Sequence, residues 1–161
     1  MKIKLIVIGK TDEKYLKQGL AKYEDRLKHY AKYETVVIPD VKKGKKHNVV
    51  LQQEEEGKMI LSKLQNSDHL VLLDERGKAF SSVQYAKHLE KKMVGGVSSI
   101  VFVIGGPFGF SQAVYDRANE KLSLSAMTFS HQMIRLFFVE QIYRTFTIIR
   151  GEKYHNEGGL V

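Results

Sequence analysis

The chain has 161 residues, 26 basic against 18 acidic and no cysteine, for a formal net charge of +8. That length suits one domain with a real core and is short for two, and no apolar run approaches the roughly 18 residues of a membrane span. The missing cysteines exclude a disulfide framework, a thiol nucleophile and a thiolate metal site, and fit a reducing, cytoplasmic setting, while the basic excess points to a polyanionic partner such as nucleic acid.

Residues 2–9 read as a first strand, with Ile3, Leu5, Ile6, Val7 and Ile8 apolar. The run is short and has no small-residue cleavage site behind it, so it is not read as a signal peptide. Thr11 and Asp12 are expected to cap a helix that carries Tyr15, Leu16, Leu20, Tyr23 and Leu27 along one side. Residues 34–39, ETVVIP, form a second strand. The run DVKKGKKHN at 40–48 sets four lysines around a glycine with no amphipathic period, which makes it a loop. Holding phosphates and simply staying solvated are both consistent with it. His47 has no carboxylate or second histidine at ligand spacing and is given no role.

Asn48 opens the next helix, in which Glu54, Glu55 and Glu56 read as a solvated face. Residues 69–74 are a third strand, followed by a turn, Asp74-Glu75-Arg76-Gly77-Lys78. Ser81 with Gln84 is a capping box, and Gly95-Gly96 stops the helix it starts. The run SIVFVI then reads as a strand buried on both faces, and it breaks at Gly105, Gly106 and Pro107. A bare loop at the C-terminal end of a parallel strand is where open α/β sheets bind ligands. A short helix at 111–119 and a strand within 121–128 follow.

Ser130 is expected to cap the last helix, 131–150. Eleven of its twenty residues are large and apolar or aromatic, more than one stripe needs. The second face is expected to meet another subunit, which predicts a two-fold homodimer. Strand and helix alternate five times, so the expected fold is α/β, a mostly parallel sheet flanked by helices, in one domain over 1–161.

Several familiar sites are absent. There is no GxGxxG after the first strand, no GxxxxGK[ST], no GxSxG and no histidine pair at metal spacing. What remains is the glycine-proline loop, a Leu-Ser-rich segment and a C-terminus bearing Arg, Tyr and His.

In these residues LLDERGK (72–78), FVIGGPFG (102–109), LSLSAMTFSHQMIR (122–135), EQIYR (140–144) and RGEKYH (150–155) appear in order over essentially the whole chain. The sequence thereby resembles the RlmH family, small SPOUT-class methyltransferases of bacterial large-subunit ribosomal RNA. The resemblance implies a C-terminal segment threaded into a deep trefoil knot, a topology that ordinary rules of connection would never propose. It implies methylation of N3 of a pseudouridine in helix 69 of 23S rRNA, in the 50S subunit or 70S ribosome, from S-adenosyl-L-methionine. No metal and no membrane are implied.

Carried over motif by motif, the cofactor positions are Leu73, Gly105 and Leu124, Ser125, Ala126, Met127, Thr128 and Phe129, with Gly106 and Pro107 shaping the loop. The residue chemistry is coherent with that. Leu73 and the Leu-Ser-Ala-Met loop offer an apolar slot with backbone groups for an adenine edge, and Gly105 lets the backbone come close where a Cβ would collide. An ordinary strand-to-helix turn is the other reading of 124–129.

The substrate side falls to Arg135, Tyr143, Arg144, Tyr154 and His155, with arginine for phosphate or base edge and tyrosine for stacking. Arg144 follows Glu140 by four residues, so an intrahelical ion pair is the alternative. Imidazole as a side-chain type changes charge near neutrality, which makes His155 one acceptor for the N3 proton; solvent is the other. The chain runs on past Tyr154-His155 with NEGGLV, a departure from the family's ending. Two rival readings stand beside this one, a non-catalytic dimeric RNA-binding module and a knotted tRNA methyltransferase.

Overall fold

The computed structural model describes residues 1–41 and 48–155; the lysine cluster Lys42, Lys43, Lys45 and Lys46, His47 and the NEGGLV tail lie outside the described residues. The strands are β1 (Lys2–Ile8), β2 (Lys32–Ile38), β3 (His69–Ala79), β4 (Ser99–Ile104) and β5 (Glu120–Ser123). The helices are α1 (Lys14–Leu27), α2 (Val49–Ser62), α3 (Ser82–Val94), α4 (Gln112–Arg117) and α5 (Met133–Ile149). The five strands form one sheet in the order β2-β1-β4-β3-β5, with every neighbouring pair parallel.

Side-chain alternation along the central strands divides the core into two layers. Ile3, Leu5 and Val7 of β1, with Ile100, Phe102 and Ile104 of β4, pack with Leu20 and Leu27 of α1, Leu89 of α3 and Phe138, Val139 and Ile142 of α5. Ile6, Ile8, Val101 and Val103 face the other way, onto Ile60 of α2 and Val114 of α4. Both faces of β1 and β4 are covered, which is why their sequences read as unbroken apolar runs.

Two caps follow the sequence, at Asn48 and Ser81, and the structure adds a third at Ser111. Asn48 accepts from the Val50 N–H, Ser81 and Gln84 complete the reciprocal capping box, and Ser111 accepts from the Val114 N–H. Thr11 and Asp12 do not cap α1. Glu13 holds the N-cap position without a side-chain bond, because the Thr11 hydroxyl accepts from Arg135 and the Asp12 N–H donates to Gln132. Tyr15 is exposed rather than on the packed side of α1. Helix α5 starts at Met133, with the Ser130 hydroxyl accepting from the Met133 N–H a turn ahead of it.

Strand β3 does not stop at Asp74. It bulges after Leu73 and pairs again with β5 through Lys78–Leu122 and Ala79–Ser123. Between these registers a Cβ on Gly77 would meet the Leu122 nitrogen and the Lys121 carbonyl carbon at 2.6 Å, so only glycine lets the two backbones come that close. Strand β5 is shorter than expected and gives way to a loop over 124–130. Its first residue is anchored by three donors: His69 Nε2 and His88 Nε2, each 2.7 Å from the Glu120 carboxylate, and the Lys92 ammonium. Burial pushes the Glu120 carboxyl up, but these three bonds outweigh it and hold it below its ordinary value.

Two further expectations are corrected. Glu56 does not share the solvated face of Glu54 and Glu55; it is 5% exposed, accepts from Gln52 Nε2 at 3.1 Å, and sits against Gly106. Burial raises its pKa, against the Gln52 bond and with the help of Asp40's charge. Helix α5 does not need a second subunit to cover both of its apolar faces. It packs against α1 and α3 within the chain and sets Phe138 on Phe102 of the sheet, with ring centroids 4.8 Å apart. Its one large apolar residue left well exposed is Phe137, at 42%.

Candidate active site

The C-terminal ends of β3, β4 and β5 lie side by side, and the loops leaving them surround a cavity of about 660 Å3. That is within the ordinary size range of a small-molecule site. Of the expected cofactor residues, Leu73, Gly105, Gly106, Leu124, Ser125, Met127, Thr128 and Phe129 line it. Ala126 is exposed in the same loop and is not part of the wall. The 124–129 loop is set by serine chemistry: the Ser123 hydroxyl donates to the Ser125 carbonyl at 3.1 Å, and the Ser125 hydroxyl accepts from the Met127 N–H at 2.9 Å.

The reason for glycine at 105 differs from the expectation. A Cβ there would strike the Phe110 ring at 2.9 Å. The space is already taken by protein, so Gly105 lets Phe110 pack beneath the loop. Gly106 plays a like part toward Glu56, whose carboxylate would lie 3.0 Å from an added Cβ.

Sequence reasoning missed part of the wall. From the sequence, Asp74 and Arg76 belong to a turn and Tyr115 to a short helix, with no site role for any of them. The Arg76 guanidinium donates to both Asp74 oxygens at 3.2 Å and to the Tyr115 hydroxyl at 2.6 Å, and that hydroxyl donates to Asp74 Oδ2 at 2.6 Å. Burial pushes the Asp74 carboxyl up, yet the bonds from Arg76 and Tyr115 outweigh it and hold the pKa at about 2. The only sequence signal was a charged turn directly after a buried strand.

Arg135 does not face a substrate. It is 2% exposed, and its guanidinium donates to the carbonyls of Ile8 at 2.7 Å and Gly9 at 3.0 Å, to the Thr11 hydroxyl at 3.0 Å and to the His131 carbonyl at 3.1 Å. Burial lowers its pKa, countered by the charges of Asp12 and Asp40. With its donors engaged in the interior, it is a tie between α5 and the end of β1.

The other four substrate-side residues come together. Arg144 pairs with Glu140, lies over the Tyr154 ring at 4.8 Å and donates to His155 Nδ1 at 3.3 Å. The Tyr154 hydroxyl donates to Glu140 at 2.9 Å, and its ring meets Tyr143 edge-on at 4.6 Å. Burial, with the Tyr23 and Glu140 bonds, raises the Tyr154 pKa. Because arginine only donates, His155 Nδ1 is the acceptor and the ring proton sits on Nε2. In that tautomer the remaining ring nitrogen is a donor, suited to holding an oxygen rather than to taking a proton.

None of these four lines the cavity. Ile134 does, and Arg144 lies ten residues further along α5, about 15 Å at 1.5 Å per residue. In one chain the two halves of the expected site stand at different ends of the same helix.

A family model described as "Predicted SPOUT methyltransferase" matches residues 1–155. The chain is 57% identical over 157 residues to the ribosomal RNA large subunit methyltransferase H of Parabacteroides distasonis, covering 98% of this chain and all of that one. It is 55% identical over 156 residues to the protein of the same name from Christiangramia forsetii, covering 97% and 99%. Among solved structures, the SpoU methyltransferase AviRb of Streptomyces viridochromogenes aligns with a TM-score of 0.43 at 10% identity, over 94% of this chain and 61% of that one. Agreement of this extent with the first two, over a fold whose glycine loop and 124–129 loop meet at one cavity, means that the chain belongs to the SPOUT methyltransferase family, among the ribosomal RNA large subunit methyltransferase H proteins.

Proposed function

We propose that this chain methylates N3 of a pseudouridine in helix 69 of 23S rRNA, in the large subunit or the assembled ribosome, with residues 1–161 acting as one SPOUT domain. The observation that carries the reading is the convergence of Leu73, Gly105 and the 124–129 loop on one cavity at the C-terminal edge of a parallel sheet. S-adenosylmethionine is the methyl donor, and when bound it supplies a methyl group already activated on a sulfonium. The cavity fits it: Leu73, Ile104, Leu124 and Phe129 are apolar walls for an adenine, and Ser123, Ser125 and Thr128 bring a few polar groups among them.

The protein's own work is positioning. Rigid loops hold the donor against the rim, and the nucleotide must be brought in line with it. The Arg144 guanidinium, paired with Glu140, is a donor that favours an anionic base; burial lowers its pKa, but the Glu140 bond and charge more than restore it. Tyr143 and Tyr154 offer ring faces and edges. The N3 proton leaves to water, because His155 Nε2 already bears a proton while Nδ1 faces Arg144.

The separation of the two halves along α5 supports a two-fold homodimer in which one chain's Arg144 cluster meets the other's cavity. Phe137, exposed on α5 beside the exposed Phe129 at 5.0 Å between ring centroids, is the natural seam. Phe137→Asp is expected to give monomers that still bind the donor weakly and methylate nothing, read by sedimentation and calorimetry. We further propose that the C-terminal segment is threaded as a trefoil knot, a reading supported by membership of the SPOUT family. No helix among the described residues is long and apolar enough to cross a membrane, and a cytoplasmic site of action fits a ribosomal substrate.

The test is mass mapping of rRNA nucleosides in a strain lacking the gene, with purified protein added back to its ribosomes. Loss and restoration of one methylated pseudouridine is the expected result. An unchanged nucleoside map, with no transfer to ribosomes in vitro, overturns the reading.

A further inference from the structure

Where α1 packs against α5, half-buried tyrosines from both helices and the segment after α5 meet around Tyr143. Its ring lies 6.0 Å from Tyr23, 5.8 Å from Tyr30 and 4.6 Å from Tyr154 between centroids. Three guanidinium groups lie over these rings. That of Arg26, in α1, is 5.6 Å from the Tyr23 centroid and 5.7 Å from that of Tyr143. Arg150 is 4.5 Å from Tyr30, and Arg144 is 4.8 Å from Tyr154. Each arginine is thus over Tyr143 or over a ring that touches it.

Arg144 is matched by Glu140, but Arg26 and Arg150 have no such partner. Among the described residues neither forms an ion pair or a side-chain hydrogen bond, because the carboxylates close to them in sequence are engaged elsewhere. Glu24 accepts from Thr35, Asp25 pairs with Lys28, and Glu152 accepts from Tyr30. Lys22 adds to the imbalance, with its ammonium 5.7 Å from the Tyr23 centroid. Stacking uses the flat face of a guanidinium and leaves its N–H donors at the edge. The ring also holds the plane of the group, so little freedom is left to lose when an anion docks. Like charges gathered without a counter-charge repel one another, and an anion between them removes that cost.

We propose that Arg26 and Arg150 each hold a backbone phosphate of the RNA strand that brings the target nucleotide to the Arg144 cluster. The proposal rests on the reading of the chain as an RNA methyltransferase. It adds helix α1 to a substrate site otherwise built from α5 and the residues after it. The planar fork of a guanidinium edge matches two oxygens of a phosphate, and the net charge of +8 favours a polyanion. Neither arginine lines the cofactor cavity.

The experiment uses Arg26→Met and Arg150→Met in the full-length protein, which keep a long apolar stem on the rings and remove the charge. Binding of an RNA hairpin with the helix 69 sequence is titrated over a salt series, and KM is measured with ribosomes from the gene-lacking strain. Each variant should lessen the slope of log affinity against log salt by about one, and the pair together by about two. KM should rise about fivefold to tenfold for each, with kcat, donor affinity and the sedimentation coefficient unchanged. Arg26→Lys, which keeps the charge, should recover most of the slope. The proposal is overturned if both methionine variants keep the wild-type slope and KM, or if Arg26→Lys is as defective as Arg26→Met, as a purely structural arginine would be. It is also overturned if donor affinity falls in step with KM, which would assign the arginines to the donor's carboxylate across a dimer. Should wild-type protein methylate no ribosomal substrate, the underlying reading fails at that control. The phosphate contacts then stand if the variants still lessen the salt slope of RNA binding, and fall if wild type shows no salt-dependent binding.

Discussion

The guanidinium of Arg135 donates to the carbonyl oxygen of Ile8 at 2.7 Å, across 127 positions of chain. It fastens the last helix to the C-terminal end of the first strand, and the Gly9 carbonyl and Thr11 hydroxyl share the same nitrogen of the group. Truncation strands these acceptors in the interior. Arg135→Ala is therefore expected to lose about 3 kcal/mol in urea unfolding, and Arg135→Lys, a point donor that cannot span all three, about half of that.

Asp74 makes stability depend on pH. Its folded pKa of about 2 lies below the ordinary 3.8, so its contribution is full above pH 4 and fades as pH falls from 4 toward 2. The side chain is largely buried, and the shift corresponds to about 2 kcal/mol, somewhat less after screening of the exposed Arg76. Urea midpoints taken from pH 5 to pH 2 should show this loss in wild type. Asp74→Asn should start lower and fall less steeply.

Glu120 holds three donors from two other elements at the start of β5. Glu120→Ala leaves Lys92 and two imidazoles facing one another without their acceptor. A loss of about 2–3 kcal/mol is expected in chemical denaturation, with Glu120→Gln intermediate because its amide oxygen still accepts.

Gly77→Ala would place a methyl group against the backbone of Lys121 and Leu122. Backbone cannot swing aside as a long side chain can, so β5 must shift and take Ser123 and Leu124 of the cavity wall with it. Melting should drop by several degrees, and calorimetry should show donor affinity weakened about tenfold or more.

Truncation after Lys153 removes Tyr154 and His155 while leaving the Arg144–Glu140 pair in place. Neither residue lines the cavity, so donor affinity should hold. Methyl transfer to ribosomes should fall at least about tenfold, or 1.4 kcal/mol of transition-state stabilisation. Full activity in the truncated chain would remove the tail from the site.

Local features of this fold were legible in the sequence because they are decided by residues close together. The Ser81–Gln84 box, the Asn48 cap and the two buried runs of β1 and β4 depend on a few neighbours each. Arg135 was not legible, since its acceptors at Ile8, Gly9 and Thr11 lie more than 120 positions away and an arginine on a helix otherwise reads as solvent-facing. Glu56 failed for the same reason: only a glycine in a distant loop makes room for it. The apolar breadth of α5 was visible, but not that α1 and α3 flank it, because sheet order sets which helices become neighbours. Of the cofactor positions that the motifs singled out, all but Ala126 line the cavity, while the close approach that requires glycine at 105 is to Phe110.

Strand order also has a consequence for how the chain is made. The sheet β2-β1-β4-β3 is complete once Ile104 has been synthesised, but β5 and α5 come later. At typical rates of 5–20 residues per second, the roughly 45 residues from Gly105 to Ile149 take about 2–9 seconds. Through that interval the nascent chain carries a bare β3 edge and, on one layer, the uncovered Phe102 that Phe138 will later meet. An open edge beside exposed apolar surface is a template for pairing with other chains. Newly made protein should therefore be most vulnerable to aggregation, and most dependent on chaperones, in the seconds before its last helix arrives.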